Sequence, residues 1–276
     1  MERIKTLRTR GQLPLDSGNT VSIGEVLRGT FTLFSGTGAI KQQWVKTDVP
    51  KETQLTAFST AIDSILTRLT PSVPVLSPGI SEEMKDYMSI YTIGDAHIGM
   101  LSRKPETGED NDLEIAEARH IKAMELLVSQ SRSTYEAFIV DVGDFFHSDN
   151  IENRTAASGH SLDVDGRYAK VLAFGLNLTT KLIDLALTKH QIVHWRSAIG
   201  NHNDHSAIMM NQFIKAYYRN EPRVIVHDEP SMYMYHQFGK NLIGITHGHK
   251  TKADNLGSIM SVDCEEIWSS TKFRYW

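Results

Sequence analysis

From Met88 onward the chain alternates short apolar runs of strand length with long stretches of helical periodicity, and few folds accept that order. Met88 to Gly94 reads as a strand. Asp112 is a suitable N-cap, and the spacing behind it predicts a helix to about Ser129. Phe138 to Val142 is an apolar run broken only by Asp141, as expected of a buried strand. A long helix is predicted from about Asp165 to Lys189, a strand over Gln191 to Ile199 and a helix over His205 to Tyr218. Arg223 to His227, Met232 to Phe238 and Asn241 to Thr246 then follow as closely spaced strands. The pattern predicts an α/β layered core.

Residues 1–80 read differently. Thr30 to Phe34 and Ala39 to Lys46 predict a hairpin around Ser35-Gly36-Thr37-Gly38. Leu55, Phe58, Ile62, Ile65, Leu66 and Leu69 predict an amphipathic helix over Glu52 to Leu69. Pro71, Pro74 and Pro78 then mark a linker. The expected division is a small α+β accessory segment over 1–80 and the main domain over 81–276. Arg3, Lys5, Arg8 and Arg10 put four bases in the first ten residues, a tail able to touch phosphates or to remain an ordinary solvated terminus.

Composition excludes several classes. The 1 cysteine, Cys264, leaves no disulfide framework and no thiolate zinc site. No apolar run approaches the roughly 18 residues of a membrane span, and Met1-Glu2-Arg3-Ile4-Lys5 opens no secretory leader. A reducing, cytoplasmic compartment is therefore expected. What the chain does carry is 12 histidines, and His97, His147, His202, His205, His247 and His249 lie in or beside four short blocks.

Those blocks fall where predicted strands give way to loops: Asp95-Ala96-His97, Gly143-Asp144, Gly200-Asn201-His202 and His247-Gly248-His249. In α/β sheets ligands bind beyond the carboxyl ends of the strands, so the four loops are expected to converge there. Asp95 and His97, two apart, project to one side of an extended backbone. Gly143 permits a sharp exit that carries Asp144 over the sheet edge, where its two oxygens can bridge two ions. Asn201 offers an amide oxygen, and His247 an imidazole. His202 is placed to meet substrate. Each block alone is an ordinary loop feature. Together their order, residue types and positions point to a dinuclear centre for phosphoryl chemistry.

Asp95-x-His97, Gly143-Asp144, Gly200-Asn201-His202 and His247 resemble the blocks of the calcineurin-like metallophosphoesterase superfamily, over roughly residues 88–276. The whole chain is similar to tailed-phage metallophosphoesterases described as DNA-repair-exonuclease-like, which would place it in a host cytoplasm. The resemblance implies a four-layer αββα sandwich with a two-metal site. Asp95, His97 and Asp144 would hold one ion, and Asp144, Asn201 and His247 the other. His202 would help protonate the leaving oxygen. Asp95-Ala96-His97-Ile98-Gly99 and Gly143-Asp144-Phe145-Phe146-His147 look like the nuclease versions of these blocks, which favours a phosphodiester, hence nucleic acid, as substrate. Phe145 and Phe146 serve equally well as core residues. Manganese is the first choice of ion, with iron, zinc or nickel as alternatives.

Two departures accompany the resemblance. Asn203 stands where the family has an acidic residue after the histidine, and Asp204 follows it as a candidate to orient His202. His205 is near enough to reach the site or simply to start a helix. The family's last block, Gly-His-x-His, is expected after a further strand. Ser270 to Trp276 reads as the start of that strand, so the domain is expected to be incomplete at its C-terminus, with His249 able to fill one vacant ligand place. Asp163-Val164-Asp165-Gly166 lacks the closing Glu of a calcium loop and is expected to cap the long helix. Met209 and Met210 are expected in a helix core. A phosphomonoesterase, or a binding protein on a degenerate fold, remain the rival readings.

Overall fold

The computed structural model describes residues 26–48, 71–155, 159–229 and 231–276, and it divides the chain into two compact units, Met1–Leu69 and Thr70–Trp276. The helix expected over Glu52 to Leu69, and the basic residues Arg3, Lys5, Arg8 and Arg10, lie outside the described residues. In the first unit, β1 (Val26–Phe34) and β2 (Ile40–Asp48) pair antiparallel, both longer than the sequence suggests. The Ser35 amide donates to the Ala39 carbonyl at 2.7 Å, and Gly38 takes a φ of 82° that a side chain would resist.

The second unit is α/β. Its parallel sheet runs β3 (Met88–Ile93), β4 (Glu136–Asp141), β5 (Ile192–Ser197) and β6 (Val224–Val226), side by side in that order. Between these strands come α1 (Lys104–Thr107), α2 (Leu113–Gln130), α3 (Tyr168–Leu187) and α4 (Asp204–Tyr217). A second sheet follows. Its β7 (Met234–Phe238) and β8 (Asn241–Ile245) are antiparallel, and β9 (Phe273–Tyr275) runs parallel to β8. The predicted strand at Ser270 to Trp276 is thus the short β9. Before it lie α5 (Ala253–Asp263) and α6 (Glu265–Trp268), which the sequence analysis does not delineate. The reason is a thin apolar stripe: α5 buries only Met260, while Val262 is 75% exposed. Among the described residues no helix is long and apolar enough to cross a membrane.

Strand periodicity distributes the core. On β4 and β5, Ala137, Ile139, Val193 and Trp195 face α2, α3 and α4, where Leu178, Leu182, Ile183 and Leu187 join them in the largest apolar cluster. The alternate residues Phe138 and Val140 meet Met234 and Ile245 of the second sheet. Beyond that sheet, Leu242 packs with Met260, Cys264 and Trp268 beneath α5 and α6. The layer between the sheets is uneven, because a cavity of about 950 Å³ opens among Ile90, Phe138, Ile243, Tyr275 and Trp276.

Local signals fix the helices. Asp112 caps α2 by accepting from the Ile115 amide at 2.9 Å. Asp165 does not cap its own helix, which starts only at Tyr168. Its carboxylate instead accepts from the Leu113 amide at 3.0 Å, so two acidic residues serve one helix N-terminus. Met210 is fully buried in α4, whereas Met209, one step round the helix, is 36% exposed and not a core residue. The proline-rich run lies within the second unit and is fastened to the rest of it. The Val75 amide donates to Glu221 Oε2 at 3.0 Å and its carbonyl accepts from Arg223 Nη2 at 2.9 Å. Phe145 and Phe146 are wholly buried, with ring centroids 5.1 Å apart.

Gly175 of α3 makes room for both rings. A Cβ there would overlap the Phe146 ring and come within 3.2 Å of Phe145. Gly175→Ala gains helix propensity of about 1 kcal/mol, yet two enclosed aromatic rings cannot yield. Chemical denaturation should show a net loss of about 1–3 kcal/mol; an unchanged or higher midpoint would contradict this packing.

Candidate metal centre

The carboxyl ends of β3, β4, β5 and β8 carry the four blocks that the sequence analysis singles out. Backbone strain is concentrated there. Among the described non-glycine residues only four have positive φ, and three of them are Asp95 (46°), His97 (44°) and Asp144 (55°). Asn153 is the fourth. Such left-handed backbone persists only where surrounding structure enforces it. Asp95 and His97 are therefore not extended, as the spacing argument assumed. Their side chains still converge, with His97 Nε2 4.0 Å from Asp95 Oδ1.

The loops are locked to one another by main-chain bonds. The His97 amide donates to the Asp144 carbonyl at 3.0 Å, and the Ile98 amide to Phe145 at 2.7 Å. Asn203, fully buried, accepts at its Oδ1 from the Asp144 amide and from the Gly200 amide, each at 3.0 Å. It thus joins the loop after β4 to the loop after β5. Both glycines are required by contact. A Cβ on Gly143, whose φ is 112°, would lie 2.7 Å from His247 Nδ1, and one on Gly200 would overlap Asp144.

The side chains gather in three overlapping groups. Asp95, His97 and Asp144 each offer a ligand atom within 4.8 Å of the others, as do His97, His147 and His202. The third group is made by His247, whose Nε2 is 3.3 Å from Asp144 Oδ2 and 3.1 Å from Asn201 Oδ1. Its Nδ1 lies 3.2 Å from the Val142 carbonyl. A neutral imidazole has one N–H, so it satisfies the oxygens on one side only. With that proton on Nδ1, Nε2 would keep its lone pair towards Asp144 and Asn201 and could ligate a cation there. The site therefore contains His and Asp groups that could hold a metal ion.

Protonation favours ligation. Burial, and then the charges of His97 and His202, push His147 down to about 4. Burial first and His202 second lower His97 as well, so both rings are neutral near pH 7. His202 is held by its Nδ1, 2.8 Å from the His147 carbonyl. A carbonyl only accepts, so the proton sits on Nδ1, and Nε2 is the nitrogen left to take or give one.

Other expected residues are placed differently. Asp204 makes no hydrogen bond to His202; its buried Oδ1 has no partner. The orienting group is the His147 carbonyl, and Asn203 serves the loops rather than the histidine. His249 has its ring centroid 5.2 Å from that of His247, but neither of its buried ring nitrogens has a hydrogen-bond partner. It belongs to none of the three-residue ligand groups found among the described residues. His205 lies in the first turn of α4, its side chain 85% exposed, and pairs with Asp149 at 3.0 Å.

Two contributors are given no ligand or catalytic role by the sequence. His147 is one, although it closes the Gly143-Asp144-Phe145-Phe146-His147 block. Asp149 is the other; its carboxylate takes the His205 amide at 2.6 Å and the Ser206 amide at 2.9 Å, capping α4 from the loop after β4. No signal in the sequence marks it. Comparison with known proteins gave no match to a family model, a curated protein or a solved structure.

Asp141 underlies the site. It is fully buried, accepts from Ser197 Oγ at 2.5 Å and from the Gly143 amide at 3.1 Å, and is pushed by burial up to about 7. Between its unfolded value of 3.8 and about 7 the folded state holds a proton that the unfolded chain lacks. This group therefore costs stability progressively as pH rises through that window. In metal-free protein the Asp141 side-chain ¹³C resonance should titrate near pH 7. A midpoint near 4 would show that the carboxyl is ionised as usual.

Proposed function

We propose that this chain is a metal-dependent phosphoesterase of the calcineurin-like metallophosphoesterase type, acting on phosphodiester bonds of nucleic acid with two divalent ions. The observation that carries the reading is the double role of Asp144. One side of the site gives it Asp95 and His97 as neighbours, and the other gives it His247 and Asn201. A carboxylate so flanked suits a bridge between two ions. The order of layers supports the αββα sandwich: helices α2 to α4, parallel sheet, second sheet, then α5 and α6.

The donor set fits the group. It is imidazole, carboxylate and amide oxygen without thiolate, which suits manganese first, and iron, zinc or nickel next. Asp95, His97 and Asp144 would hold one ion, and Asp144, Asn201 and His247 the other. Bound there, the ions supply Lewis-acid polarisation of the phosphoryl group and activation of the attacking water. The chain's own residues do the rest. His202, with its Nδ1–H tethered to the His147 carbonyl, presents Nε2 to the leaving oxygen; from the doubly protonated ring Nε2 would give up its proton there and leave a neutral imidazole. Asn203 keeps the Asp144 and Gly200 loops in register, which lets the His202 amide donate to Asp144 Oδ1 at 2.8 Å.

Turnover of bis-p-nitrophenyl phosphate and of single-stranded DNA with Mn²⁺ tests the reading. Asp144→Asn keeps an oxygen for the His202 amide but removes the carboxylate charge that faces His247, and should lose both metal uptake and turnover. His202→Ala should keep metal uptake and lower kcat by about 10²–10⁴-fold. Preference for a phosphomonoester would make the protein a phosphatase. Metal uptake without hydrolysis of any ester would make it a binding protein.

A further inference from the structure

A second group of histidines lies between the two sheets, away from the strand-end loops. His194 is on β5, His227 follows β6 and His236 is on β7. Each offers a ring nitrogen, and the three lie within 4.8 Å of one another. His194 Nδ1 is 3.0 Å from His227 Nε2. His236 Nε2 is buried and has no hydrogen-bond partner. On the other side of His194, Nε2 stands 3.4 Å from Glu136 Oε2, and the His194 side chain is only 9% exposed. Phe138 closes the group, with its ring centroid 5.7, 5.4 and 5.0 Å from those of His194, His227 and His236.

A buried nitrogen without a partner costs free energy, and so does a cluster of imidazoles in an apolar layer. We propose that His194, His227 and His236 form a second metal site, which takes a zinc-class divalent ion and ties the parallel sheet to the mixed sheet. Thiolate-free imidazole ligation suits zinc. An ion bound at zinc–nitrogen distances spaces its ligands by about 3.3 Å, close to the existing His194–His227 separation. Glu136 is the positioning residue. A carboxylate beside His194 Nε2 places the ring proton there and frees Nδ1 for the ion, the usual outer arrangement at histidine ligands. Arg196, next on this face of β5, does not compete for the space. Its guanidinium is turned to the His227 carbonyl at 2.8 Å and the Ser231 carbonyl at 3.1 Å. The rings are also ready to ligate: burial, foremost, lowers all three, His194 to about 3 and His236 to about 4.

The test uses the full chain with the strand-end centre disabled by Asp95→Asn, His97→Asn and Asp144→Asn together. Metal-free protein is titrated with Zn²⁺ against a chromophoric chelator, and Tm is followed in parallel. The expected result is uptake of about one equivalent with a rise in Tm. Adding His236→Gln should abolish it, and adding Glu136→Gln should weaken it about 10–100-fold. If the His236 variant does not fold, His227→Gln in the parent triple variant decides, and it should abolish uptake as well. No uptake by the triple variant, or uptake indifferent to His236→Gln or to His227→Gln, would overturn the proposal. These outcomes leave the strand-end reading untouched, because Asp95, His97 and Asp144 of that centre are replaced throughout and its own test is turnover by the unaltered chain.

Discussion

One buried amide holds the strand-end loops together. Asn203 Oδ1 accepts from the Asp144 and Gly200 amides at once, and its own position is fixed because it sits immediately before α4 and is fully enclosed. Everything at the site leans on that junction. Gly200 must lack a Cβ because Asp144 occupies the space. The His202 amide reaches Asp144 Oδ1 only while the two loops stay in this register. An acidic side chain at position 203 would put a second buried negative charge beside Asp144, which burial and like charge both disfavour.

Much of this was legible from residue order. Alternating apolar runs delimit β3, β4 and β5 within a residue or two, and the cap at Asp112 is where its side chain and position suggest. The strand-end blocks do converge: the parallel strands β3, β4 and β5 deliver three of them to one edge, and β8 of the second sheet brings His247 to the same place. What the sequence hides is of two kinds. Contacts made across long separations, such as Asp149 on the start of α4 or Asp165 on the start of α2, leave no local trace. Side-chain direction within a strand is the other kind. His194 looks like an ordinary strand residue until the register pairs it with Phe138 and turns it towards β7. The left-handed backbone at Asp95 and His97 was likewise hidden, since spacing suggested an extended pair.

The layer between the sheets uses two kinds of filling. Near Ile90, Ile243 and Trp276 it is apolar and partly hollow. Near β5 and β7 it is packed with imidazoles around Phe138. Buried imidazoles in such numbers are neutral at ordinary pH, and neutrality makes them stable neighbours of phenylalanine and good donors to a soft cation alike. The same property appears at His97 and His147, so one physical condition, desolvation, prepares both groups.

The left-handed kinks at Asp95, His97 and Asp144 also bear on how the chain reaches its structure. Successive contributors to the strand-end centre are separated by about fifty residues, so each must wait for a distant segment to close a long loop. The kink at Asp144 is unfavourable without the Asn203 contact that holds it. Capture of an ion there needs all of these distant segments in place, so it would mark the end of assembly rather than its beginning.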